Sequence, residues 1–210
     1  MRGLTSSSLT FEGRHFRYLD VPMVLQPVQR PHPPLWYGLT NVEGAPWAAS
    51  LGVNVLMNGP AARTRPLTET YREELAKAPV DVRARAPKLG LTRHVHVADS
   101  DAEALDTAGR AYAAWYASNA ELWNRFKTET RIFPPTLEDA LRLGTAIVGS
   151  PATVAARIDE DLRASGANYL VSRLAFGDMP QERVMHAVDL FAAEIMPRFQ
   201  PAAATSRTQA

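Results

Sequence analysis

Two histidines, His94 and His96, stand two residues apart within the apolar run from Leu89 to Ala98. Alternate residues of a strand share a face. The pair therefore reads either as the start of a metal site or as a structural or substrate-facing pair. A metal site would need further ligands from other strand ends. The remaining histidines are His15 and His32 near the N-terminus and His186 in the last helical segment, which favours the second reading. The chain has no cysteine, so disulfides, thiolate metal sites and cysteine nucleophiles are excluded together. A different chemistry is suggested by Thr40-Asn41-Val42-Glu43-Gly44-Ala45, which runs into a short helix at Pro46. Hydroxyl, amide and glycine N–H donors at such a turn can cradle a phosphate, whereas the Glu43 carboxylate must point away from it. The bland alternative is a capped turn without ligand. Ser150-Pro151 offers a second helix start late in the chain, read first as ordinary helix punctuation and only second as a phosphate site. Arg173 lies between Val171 and Ala175 on one strand face. A buried cation there needs a partner, often a ligand, unless the side chain runs outward past the helices. Phe176-Gly177 ends that strand with a ring that faces either a ligand or the core. The sequence has no GxGxxG, P-loop or GxSxG pattern.

These residues must be positioned by alternating strands and helices. Leu9 to Phe11 and His15 to Leu19 flank Glu12-Gly13 as a small hairpin. Residues 21–34 hold Pro22, Pro27, Pro31, Pro33 and Pro34, a density that forbids helix and gives an extended connector. Strands are expected near 35–40, 53–57, 89–97 and 168–176. Between them the spacing predicts a short helix over 46–51, a helix over 67–78 with Leu67, Tyr71 and Leu75 on one face, and a long helix to about Arg125 capped by Ser100 and Glu103. Thr136 and Asp139 start another short helix. Val154, Ile158 and Leu162 define the helix after Ser150, which Gly166 stops. Asp178 is expected to cap a final helix carrying Val184, Val188, Phe191 and Ile195. Trp115, Tyr116, Trp123 and Phe126 form an aromatic face of the long helix, read as packing or as a subunit contact. The tail 200–210 is expected to be disordered.

Strands alternating with helices imply an α/β fold with a parallel sheet. Four βα units suit half of a barrel or a small open sheet, because a complete (β/α)8 barrel needs eight units and typically about 250 residues. The chain has 210 residues, of which 46% are hydrophobic. Its 23 Lys and Arg balance 22 Asp and Glu, which leaves no electrostatic footprint for nucleic acid or an anionic membrane. No apolar run approaches the roughly 20 residues of a membrane span, and the first ten residues lack a signal-peptide core, so a cytoplasmic protein is expected.

Several stretches together resemble the bacterial luciferase-like, flavin-dependent monooxygenases. One is Leu9-Thr-Phe-Glu-Gly-Arg-His-Phe-Arg-Tyr18 followed by Gln26-Pro-Val-Gln-Arg-Pro-His-Pro-Pro-Leu-Trp-Tyr-Gly38. A second is Ile147-Val-Gly-Ser-Pro-Ala-Thr-Val-Ala-Ala-Arg-Ile158. The third is Phe176-Gly-Asp-Met-Pro180 with Leu190-Phe-Ala-Ala-Glu-Ile-Met-Pro-Arg-Phe199. The resemblance implies a partial (β/α)8 TIM barrel: residues 1–34 as hairpin and proline-rich lead-in, and 35–199 as the C-terminal half, about four βα units. It implies reduced FMN (FMNH2) from a separate flavin reductase, with the deazaflavin F420 as a variant, and insertion of one oxygen atom from O2 into a small organic substrate. Gly38, Thr40, Asn41 and Gly44 would then serve the cofactor, Arg173 and Phe176 the substrate, and a homodimer is possible within such a family. Four further βα units would precede these in a complete member, and groups that act on the cofactor come partly from them. A non-catalytic half-barrel remnant is the competing expectation, and no catalytic residue is assigned.

Overall fold

The computed structural model describes residues 2–128 and 133–199, so the expected disorder of 200–210 lies outside the described residues. The chain divides into two units, Met1–Trp36 and a second that begins at Tyr37. In the first, a single helical turn, α1 (Arg2–Thr5), precedes two antiparallel strands, β1 (Ser8–Glu12) and β2 (Arg17–Pro22). The hairpin expected from the sequence is therefore present. It closes through the Gly13 N–H donating to the Phe16 carbonyl. Val24, Leu25 and Val28 of the proline-rich connector are almost fully exposed.

The second unit is built on a sheet. Strand β3 (Trp36–Gly38) leads through a short 3-10 turn (Val42–Gly44) to α2 (Ala45–Leu51) and β4 (Asn54–Met57). Then follow α3 (Ala61–Lys77), α4 (Val80–Arg83), β5 (Leu89–Val97), α5 (Asp101–Phe126), α6 (Leu137–Arg142), β6 (Ala146–Gly149), α7 (Pro151–Ser165), β7 (Tyr169–Arg173) and α8 (Gln181–Leu190). The last helix continues through a π-helical turn, Phe191–Ile195, into α9 (Met196–Phe199). Strand β5 is buried along its whole length and runs parallel to β4, β6 and β7. Gly90 and Leu91 have partners in both β4 and β7, so these two flank β5 on opposite edges. Strand β6 shares His94 with β7 and therefore takes the β4 edge at its far end. Among the described residues the sheet is open, with β3 paired to β4 alone and β7 to β5 alone.

Right-handed crossovers decide where the helices lie. The path from β4 to β5 and that from β6 to β7 run the same way, which puts α3 and α7 on one face. There Thr68 Oγ1 donates to the Ser165 carbonyl at 2.7 Å, and Val154, Ala155 and Ile158 pack on Val95, Val97 and Ile147. The step from β5 back to β6 runs the other way and puts α5 on the opposite face, against Ala146 and Val148.

The sequence reading needs four corrections. Strand β6 is a fifth parallel strand, short enough that its four apolar residues read as the approach to the Ser150-Pro151 helix start. The 67–78 helix starts six residues earlier, at Ala61, and carries Pro66 inside it, at the loss of one backbone hydrogen bond. Strand β7 ends at Arg173 instead of 176, and Pro180, not Asp178, precedes α8. The proline fixes an extended residue ahead of the first helical turn, so the start moves past Asp178. Gly177 adopts φ +64°, and an added Cβ would collide with the Ala111 carbonyl oxygen, which explains a glycine where α5 crosses the end of β7.

Candidate functional site at the strand ends

Side chains of β5 alternate between two environments. Leu91, Arg93, Val95 and Val97 face α7, whereas Thr92, His94 and His96 face the side covered by α5. All three polar residues of the second set are buried. Four of their atoms, Thr92 Oγ1, His94 Nε2 and both ring nitrogens of His96, have no hydrogen-bond partner among the described residues. An unmet buried polar atom costs about 1–3 kcal/mol, so a row of them marks a face built for a polar partner. Asn119 Nδ2 of α5 is orphaned on the same helix that carries Tyr112 and Trp115.

His94 sits inside an aromatic cage: the rings of Trp115, Phe176, Tyr112 and Phe133 lie 4.2, 5.0, 5.5 and 6.0 Å away. Phe176 is thus buried in the cluster that includes the sequence-identified Trp115, with Tyr116 packed behind; Trp123 is half-buried and Phe126 is exposed. Arg173 is the register partner of His94 on β7 and points to this side, not outward past the helices. Its Nη2 donates to Asn58 Oδ1 at the end of β4 at 3.3 Å, and its guanidinium carbon lies 5.3 Å from the Phe133 ring centre. Burial, then the neighbouring Arg93, disfavour its charged form. Burial and the Arg173 charge push the His94 imidazole down to about 4. His96 is lowered by burial and by Arg183. Burial raises the Tyr112 phenol to about 12, and its hydroxyl donates to the Pro134 carbonyl.

These shifts set a pH dependence. Unfolded, His94 titrates near 6.5, and folded near 4. Between those values the unfolded chain holds a proton that the folded chain refuses, so stability is intact above about pH 6.5 and falls as pH drops toward 4. The loss reaches up to about 3 kcal/mol. Urea midpoints at pH 7 and 4.5 should fall further apart in the wild type than in His94→Phe. Equal spacing in the two proteins would refute the assignment.

The turn after β3 is arranged differently from an open cradle. Asn41 is extended, and its Oδ1 accepts from the Gly44 N–H at 3.1 Å, so that N–H is already satisfied. Thr40, Asn41 and Glu43 are exposed, and an added Cβ at Gly38 would meet open space. At Gly44 an added Cβ would stand 3.1 Å from the Tyr37 hydroxyl, which keeps the backbone here close to β3. At the other helix start, Asp101 takes the place a phosphate would need. Its carboxylate accepts from the Ser150 N–H at 2.6 Å and from the Thr153 hydroxyl at 3.1 Å. Those bonds, the Ser150 N–H foremost, hold the Asp101 carboxyl below its usual range. Ser150-Pro151 is therefore closed by the protein's own anion. The Thr40–Gly44 turn and the Arg173 cluster thus occupy ends of different strands.

Further cavities lie away from these groups. One of about 350 Å3 opens along β6 between α6 and α7. Its charged residues are committed to one another or to neighbours, Arg142 to Asp139, Arg157 to Glu160 and Asp161 to Arg93, so it presents no unmatched chemistry. Among the described residues no three His, Asp or Glu side chains gather as metal ligands. Sequence reasoning missed two contributors to the site and one buried ion pair on the opposite face of β5. Asn58 was readable as a strand-end residue, and Thr92 as the third member of the alternating set. Arg93, with its side chain wholly buried against Asp161, had no signal beyond its place in an apolar run.

The sequence model of the luciferase-like monooxygenases matches residues 1–169. The uncharacterized protein y4wF of Sinorhizobium fredii (strain NBRC 101917 / NGR234) is 33% identical over 199 residues, which are 94% of this chain and 58% of that protein. The chain thus spans little more than half of that relative's length. Monooxygenase RslO1 from Streptomyces bottropensis superposes with a TM-score of 0.75 at 22% identity, over 95% of this chain and 58% of that one. The oxygenating constituent of 3,6-diketocamphane monooxygenase from the CAM plasmid of Pseudomonas putida, solved with FMN, gives 0.63 at 18% identity over 96% and 61%. The coenzyme F420-dependent tetrahydromethanopterin reductase from Methanopyrus kandleri gives 0.60 at 16% identity over 95% and 60%. At these identities the structural matches establish the shared fold. No described helix is long and apolar enough to cross a membrane.

Proposed function

We propose a flavin-dependent oxygenase function, because the chain belongs to the luciferase-like monooxygenase family, whose sequence model spans most of it. The observation that carries the reading on this chain is the row of buried, unpartnered polar atoms on β5, running from its middle toward the C-terminal end, the side on which barrel enzymes hold their ligands. The polar edge of a flat ring fits Thr92 and His96 on that face, and a phosphate fits the exposed Thr40–Gly44 turn beside Gly38. Asn41 would then turn its amide toward the phosphate and release the Gly44 N–H. Reduced flavin, supplied by a separate reductase, would provide the two electrons that take one atom of O2 to water as the other enters a small organic substrate. The chain's own contribution is to exclude water with Trp115, Tyr112 and Phe176, and to place Arg173 and Asn58 at the substrate. FMN is the first choice, in line with the camphane-oxygenating relative. F420 is the second, in line with the methanopterin reductase.

Asn41→Glu tests the cofactor half of this reading. A carboxylate within about 4 Å of a phosphate costs on the order of 1–4 kcal/mol between water-like and surface dielectrics. Flavin affinity should fall about tenfold or more, while the urea midpoint falls only by what one exposed cap bond to the Gly44 N–H contributes, about 1 kcal/mol. Fluorescence titrations with FMN and with F420 measure it. Unchanged affinity would remove this turn from the site.

A further inference from the structure

His94 stands where an apolar enclosure meets a cation. Its side chain is 2% exposed, four aromatic rings surround it, and its Nε2 has no partner. Paired residues of adjacent parallel strands point to the same side, so Arg173 lies next to it across β5 and β7. Among the described residues Arg173 has no carboxylate, only the 3.3 Å bond to Asn58. A guanidinium can only donate, whereas a neutral imidazole offers one acceptor nitrogen.

Building on the flavin reading, we propose that His94 and Arg173 recognise the hydroxyl group of an aromatic substrate, a phenol. Its oxygen accepts from Arg173 and its O–H donates to His94 Nε2. The chemistry of the two groups selects this class. A carboxylate would satisfy Arg173 but has no proton to give to Nε2. A ketone meets both groups only in the tautomer that protonates Nε2, whereas a hydroxyl, both donor and acceptor, also meets the tautomer whose Nε2 is free to accept. A hydroxyl satisfies both groups at once, and burial keeps the imidazole neutral and able to accept. The rings of Trp115 and Phe176 provide edges and faces for a flat body, in the tilted arrangements that aromatic groups prefer. Phe133, over the Arg173 guanidinium, adds a further wall to this enclosure.

The probes are 2-naphthol, 2-methoxynaphthalene, 2-naphthoate and 2-acetylnaphthalene, measured by equilibrium dialysis against the full 210-residue chain. A site that hydrogen-bonds a hydroxyl discriminates strongly against an analogue lacking it. Naphthol should bind at least tenfold more tightly than the methyl ether, the acid and the ketone. His94→Leu should weaken naphthol about tenfold and leave the ether unchanged, and His94→Gln should recover part of the loss. The order of the four probes on the wild type decides the matter even where a variant fails to fold. Equal binding of naphthol and ether, preference for the acid or ketone, no saturable naphthol binding, or indifference to a folded His94→Leu would each overturn the proposal. Failure of the same wild-type protein to bind FMN or F420 would count against the flavin reading alone.

Discussion

Asp161→Ala should cost about 3–5 kcal/mol of stability, enough to unfold a large fraction of an ordinary domain near physiological temperature. Arg93 lies inside the sheet with its side chain wholly buried. Its Nε donates to Asp161 Oδ2 at 2.7 Å, its Nη2 to Oδ1 at 3.1 Å, and its Nη1 to the Thr92 carbonyl at 2.9 Å. Removing the carboxylate strands a guanidinium away from water. Keeping the shape with Asp161→Asn should cost less, because an amide oxygen can still accept. Replacing both members, as Arg93→Met with Asp161→Leu, should restore most of the loss, since packed apolar groups repay the desolvation that the ion pair must overcome. Urea unfolding of the four proteins measures this. A double variant no more stable than Asp161→Ala would show that the pair holds β5 to α7 by more than charge.

Much of this fold was legible because its signals are local. Ser100 caps α5 through the Glu103 N–H, Thr136 caps α6 through the Asp139 N–H, and Gly166 ends α7 at φ +71°, each as the residue types suggested. Glu103 departs from the capping-box expectation because its carboxylate pairs with Arg183 of α8, a partner 80 residues away that no local pattern announces. The same limit hid Arg93, whose identity as a core residue depends on Asp161 arriving on another helix. For the site, alternation placed His94 and His96 on one face correctly, but it could not tell that neither would find a partner within the described residues. Arg173 was legible as a cation needing company. Its actual neighbours, Asn58 and His94, follow from strand register, which pairs segments far apart in sequence.

The 210-residue chain alone, given reduced FMN and O2, should turn over at least about a thousandfold more slowly than a full-length family member. In (β/α)8 enzymes the active site is assembled from loops of many strands, and losing one preorganised group that stabilises the transition state commonly costs a hundredfold to a thousandfold. This chain spans 58% of the Sinorhizobium relative and contributes the ends of β3 to β7, so several such groups would be missing together. The open edges of β3 and β7 add a second difficulty, because unpaired strand edges favour self-association. Pairing two copies could cover the edges, yet it would duplicate the loops this chain already has and supply no others. Co-expression with the segment of a close relative that this chain does not span should therefore raise soluble yield, slow loss of bound flavin on gel filtration, and restore measurable oxygen insertion. The edges make the order of these gains diagnostic. Better solubility without flavin retention would mean that the added strands pair but the ligand face of β5 stays unused. Flavin-dependent oxygen insertion by the isolated chain at a rate near that of a full-length relative would refute the argument outright.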